Sequence, residues 1–100
     1  MLFGMHGTRT FALLRLGKIQ EAADFALRGA QLPNAHVHAH AIAALTLGAA
    51  GRIEEANAIS GRLRILRPDY NFRHFDEAFH MMDDVKRIYR NAARLVQIPT

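Results

Sequence analysis

A chain of 100 residues has room for one small domain and none for separate catalytic and cofactor domains. Half of its residues are apolar and 22% are charged, a balance that supports a folded core and excludes disorder, collagen-like fibres and low-complexity tracts. The absence of cysteine removes disulfides, thiolate metal ligands and thiol catalysis, in keeping with a reducing, cytoplasmic setting, and 13 Lys+Arg against 9 Asp+Glu leave a formal charge of only +4, which permits an anionic partner without demanding one.

The chain opens on Met1, Leu2, Phe3 and Met5, apolar but without a basic leader or a sustained apolar run, so no export signal is expected. A first helix should end near Gly17, and a second follows with Ile19, Ala22, Ala26 and Ala30 on one face. Pro33 closes it, and Asn34 is the expected N-cap of a third helix over about Ala35 to Ala50. That helix is apolar nearly all round after its first turn and must therefore be covered on more than one side. No Asp, Glu, Lys or Arg occurs from Gly29 to Gly51, yet Gln31, His36, His38 and His40 crowd its first half. The remaining apolar piece is too short to span a bilayer, and no membrane partner is expected.

After Gly51 a fourth helix carries an apolar stripe of Ile53, Ala56, Ile59, Leu63 and Leu66. Gly29 and Gly61 sit inside helices, where a close helix crossing would offset their cost of about 1 kcal/mol each. Beyond Pro68, Asn71 is expected to cap a short helix with the stripe Phe72, Phe75, Phe79 and Met82. Asp83 should cap a last helix carrying Val85, Ile88, Tyr89, Ala92, Leu95 and Val96.

The chain also matches itself. An offset of 34 residues sets Gly17-Lys18-Ile19-Gln20-Glu21-Ala22 over Gly51-Arg52-Ile53-Glu54-Glu55-Ala56, and pairs His6 with His40, Leu13 with Leu47, Arg28 with Arg62 and Leu32 with Leu66. This period, with paired helices, a turn glycine and Glu-Ala opening the second helix, resembles the tetratricopeptide repeat (TPR) over residues 3–70. The resemblance implies an all-α, right-handed helical-hairpin solenoid in one domain over residues 1–100, with repeats at 3–36 and 37–70 and capping helices at 71–97. His6 and His40 stand where the family carries a large aromatic. The tail from Leu66-Arg67-Pro68-Asp69-Tyr70 to Arg94-Leu95-Val96-Gln97-Ile98-Pro99 is similar to the C-terminal TPR segment of bacterial adenylate cyclase-like proteins and winged-helix transcriptional regulators. That likeness implies protein interaction or regulatory coupling rather than chemistry.

A hairpin stack lines its concave side with the first helix of each repeat, so a partner-binding groove is expected from His6, Thr10, His38, Ala41 and Leu45, suited to a peptide or partner helix. Leu2, Phe3, Met5 and Phe11 leave apolar material near the N-terminal end, which self-association into a homo-oligomer such as a dimer would cover. The alternative is a nucleic-acid or anionic-surface accessory domain using Lys86, Arg87, Arg90 and Arg94. Asp83 and Asp84 precede that stripe and no aromatic is interleaved on its basic face for stacking bases, which favours a solvated outer face. His36 and His40 share a helical face while His38 points about 160° away, two ligands rather than three, so neither metal nor cofactor is expected. Nor is catalysis: Ser60 lacks a nucleophile elbow, Asp76-Glu77 and Asp83-Asp84 diverge on a helix, and there is no glycine-rich phosphate loop.

Overall fold

Apolar residues spaced three and four apart form helices throughout this chain. The computed structural model describes residues 2–33, 35–79 and 82–99, with side chains from Arg9 onward. Among these residues there are six helices and no strand: α1 (Leu2–Arg15), α2 (Ile19–Ala30), α3 (Val37–Ala49), α4 (Ile53–Leu66), α5 (Phe72–Phe79) and α6 (Asp83–Leu95). None of them is long and apolar enough to cross a membrane.

The α1–α2 and α3–α4 turns are built alike. Gly17 and Gly51 sit at φ +79° and +81°, left-handed conformations that a β-carbon disfavours. The Gly17 N–H donates to Leu14 O at 3.0 Å and the Lys18 N–H to Leu13 O at 2.9 Å; Gly51 donates to Gly48 O at 3.1 Å and Arg52 to Leu47 O at 2.9 Å. Both pairs are Schellman closures, which satisfy the last carbonyls of the preceding helix. Lys18 and Arg52 then lead into α2 and α4 with nearly the same backbone angles, φ −92° and −90°, ψ 62° and 68°. The 34-residue offset in the letters is thus matched in the backbone at these two turns.

Helix α3 lies at the centre, packed against α1, α2, α4 and α6. Every residue from Ala39 to Gly48 is buried, as its lack of a polar face predicts. Its cap differs from the expected one: the His36 Nδ1 accepts the His38 N–H at 3.2 Å, while Asn34 lies outside the described residues. Gly48 of α3 lies tight against the C-terminal end of α6: a β-carbon there would meet Val96 Cγ1 at 2.7 Å. Gly61, by contrast, has open space around it, so a close crossing does not explain that glycine.

At α5 the Asn71 cap is present and reciprocated: the His74 N–H donates to Asn71 Oδ1 at 3.2 Å and the Asn71 N–H to His74 Nδ1 at 3.3 Å. Asp83 is the first residue inside α6 rather than its cap, which is Met82. Helix α6 buries Val85, Tyr89, Ala92 and Ala93. Three residues expected in the inward stripes face out instead: Leu66, Met82 and Leu95 are each more than half exposed, while Ser60 and Ala93 are buried. The Ser60 hydroxyl accounts for its own burial by donating to the Val96 carbonyl at 2.8 Å.

Candidate interaction surface

The surface formed by α1 and α3 is occupied by the chain itself. Helix α6 packs on both, and the Phe11 ring of α1 meets Phe79 edge-on at 5.5 Å and Tyr89 at 5.7 Å. Tyr89 is fully buried, with its hydroxyl 2.8 Å from Thr46 Oγ1. Thr46 spends its one hydrogen on the Ile42 carbonyl at 2.6 Å, so Tyr89 is the donor in this chain of two bonds. Burial pushes the Tyr89 hydroxyl well above the ordinary tyrosine range, which keeps it a donor. At the far end of α6, Ser60 holds Val96, and near its start Arg15 of α1 pairs with Asp84 at 3.4 Å.

This arrangement corrects the expected groove. Thr10, Ala41 and Leu45 are fully buried and present nothing to a partner in this conformation. His38 is half-buried, and the side chain of His6 lies outside the described residues. The physical reason is that large aromatic side chains of α5 and α6, Phe79 and Tyr89, bury their apolar area against Phe11 and the first helices. Of the residues expected to drive self-association, Phe11 is turned inward onto Phe79 and Tyr89, and the side chains of Leu2, Phe3 and Met5 lie outside the described residues.

The histidines arrange differently from helical spacing. Because His36 leaves the helix as its cap, its ring stacks on His38 at 5.0 Å rather than sharing a face with His40, whose Nδ1 lies 3.1 Å from the His36 carbonyl. The His38 Nδ1 is 2.8 Å from the Tyr70 hydroxyl, and its ring meets Phe79 edge-on at 5.6 Å. Burial, and then the charges of His36, Arg67 and His74, hold His38 below the usual imidazole range. Among the described residues no three His, Cys, Asp or Glu side chains come together in a way that suits a metal ion.

The basic stripe is partly consumed by its own fold. Lys86 pairs with Asp76 at 2.9 Å, and the Arg90 guanidinium lies 5.6 Å above the Phe72 ring, which leaves Arg87 and Arg94 as exposed cations.

An open groove of about 590 Å³ lies where α2 and α4 end and α3 begins, lined among others by Leu32, His40, Arg62, Ile65 and Leu66. Ile65 is 82% exposed, the most exposed large apolar side chain among the described residues. The inward stripe of α4 concealed this site, since it places Leu66 inside and leaves Ile65 unassigned. A bulky aliphatic beside the stripe rather than in it was the signal that could have found it. No family model matches this chain, no curated protein matches its sequence, and no solved structure matches its fold.

Proposed function

We propose that the chain is a non-enzymatic protein-interaction module of the tetratricopeptide kind: two helical hairpins in solenoid order and a C-terminal helix pair, serving regulatory coupling by binding a peptide or a partner helix. The observation that carries the reading is the seating of amphipathic α6 across α1 and α3. The first helices of the two hairpins together accept a helix with a buried aromatic anchor, the contact by which helix-in-groove recognition works. The matched turns at Gly17 and Gly51 support the hairpin order. The basic stripe offers less to nucleic acid, because Lys86 and Arg90 are engaged within the fold.

A selection from a random-peptide display library against the full chain tests this. Enriched peptides that bind reversibly and are recovered unaltered are the expected result. Failure to enrich any peptide, together with duplex DNA binding that falls steeply with salt and is lost in Arg87→Glu and Arg94→Glu, would overturn it in favour of the nucleic-acid reading.

A further inference from the structure

The groove at the ends of α2 and α4 combines an apolar floor with a one-sided charge. Helices α2 and α4 carry their acids in the first turn, Glu21, Glu54 and Glu55, and arginine in the last, Arg28 and Arg64. Asp24, in the middle of α2, and Glu55, in the first turn of α4, are both bound by Arg52, at 2.6 and 2.9 Å. No carboxylate is among the described residues lining the groove, and Arg62, which does line it, is exposed. The 34-residue offset relates Leu32 to Leu66, so both hairpins deliver a leucine to this edge, while the cation comes from the second hairpin alone, because Arg28, the counterpart of Arg62, lines a separate groove with Glu21 and Asp24.

We propose that this groove binds a short acidic, aliphatic peptide segment of a partner protein, seating a leucine-like side chain on Leu32, Ile65 and Leu66 while a flanking carboxylate faces Arg62. Charge complementarity selects this occupant. A second copy laid groove to groove would bring an Arg62 from each side with no carboxylate among the described lining residues to answer either. A bilayer is flat and would leave the concave floor beside His40 unfilled. The proposal rests on the interaction-module reading and names its site and ligand class.

The test is fluorescence anisotropy of a labelled peptide in which glutamate alternates with leucine, titrated with the full chain. Saturable binding is expected, weakened about tenfold or more by Arg62→Glu and by Ile65→Asp, and by less than about twofold by Arg94→Glu on α6. Arg62 and Ile65 are solvent-facing, so both variants should keep the wild-type circular dichroism and urea midpoint. Peptides with glutamine for glutamate, or alanine for leucine, should bind about tenfold more weakly. Unchanged affinity in both groove variants overturns the proposal. So does failure of this peptide to bind while the display library still yields binders, which leaves the interaction module standing with its site elsewhere; no binder from either probe removes both readings. Capture by phosphatidylserine vesicles in preference to the peptide, abolished by Ile65→Asp, would make the surface a membrane site. A dimer-to-monomer change in sedimentation on Ile65→Asp would replace the peptide with a second copy.

Discussion

At Gly48 the missing side chain sets how closely α6 can approach α3. An alanine there would place its β-carbon 2.7 Å from Val96 Cγ1, and Val96 is fully buried and has little room to retreat. Overpacking of this kind costs about 1–3 kcal/mol, more than the gain of about 1 kcal/mol from replacing a mid-helix glycine. Gly48→Ala is therefore expected to lower the urea midpoint. Val96→Ala, itself destabilising, removes the colliding methyl and should shrink the Gly48→Ala penalty when the two are combined. Gly61→Ala meets no neighbour and is expected to stabilise by up to about 1 kcal/mol, so the same substitution in two helices should move the midpoint in opposite directions. A second residue-scale test lies in the bonds from Tyr89 to Thr46 to the Ile42 carbonyl. Tyr89→Phe removes one bond and leaves Thr46 its own, a cost of about 1 kcal/mol, whereas Thr46→Val strands a buried hydroxyl donor and should cost about 1–3 kcal/mol. Equal losses in the two variants would show that the Tyr89 hydroxyl finds another acceptor.

Among the elements, α6 ends in a left-handed turn that shares the wider-spanning of the two closing bonds seen after α1 and α3, but with a glutamine where they have glycine. Gln97 stands at φ +62°, and the Ile98 N–H reaches back to the Ala93 carbonyl at 2.9 Å. A side chain in that conformation costs about 1–2 kcal/mol, so Gln97→Gly is expected to raise the unfolding midpoint by roughly 1 kcal/mol of stability, less the added chain entropy of glycine. An unchanged midpoint would mean that the tail holds the turn in place, through the 2.7 Å bond from the Phe72 N–H to the Pro99 carbonyl. The turns at Gly17 and Gly51 were legible in the sequence because a glycine after a leucine-bearing helix has few other uses, and the central place of α3 was legible because nothing polar interrupts it. The left-handed turn at Gln97 left no such mark. The inner face of α4 was misread at two positions for one reason: periodicity scores serine as polar and leucine as apolar, whereas the available partner decides, and Ser60 has the Val96 carbonyl while Leu66 has solvent. The groove expected from Thr10, Ala41 and Leu45 was lost in a similar way. The 34-residue pattern stops at Pro68, and no spacing says where the last two helices will lie.

Taken whole, the molecule joins its first four helices to its last two through a seam of aromatic and histidine rings, and that seam should make its stability depend on pH. His38 sits where the start of α3, the segment around Tyr70 and the end of α5 meet, against His36, Tyr70 and Phe79, with Arg67 and His74 close by. A neutral ring with its proton on Nε2 accepts the Tyr70 hydroxyl hydrogen at Nδ1, and a protonated ring offers no lone pair for it. Because burial lowers the folded-state pKa below the ordinary value of 6.5, His38 contributes no pH dependence well above that value. As pH falls through it, the unfolded chain takes up a proton that the folded chain refuses, and stability declines until the folded-state pKa is reached. Glu55 and Asp69 are held below the carboxylate range by Arg52 and Arg67, so the stability they contribute is present above that range and is lost only in stronger acid. The first loss on acidification from neutrality should therefore belong to His38. Urea midpoints at about pH 7.5 and about pH 5.5 are expected to differ more in the wild type than in His38→Gln, which keeps a hydrogen-bonding group near Tyr70 but does not titrate. Equal differences in the two proteins would assign the pH dependence to another histidine and detach it from the seam.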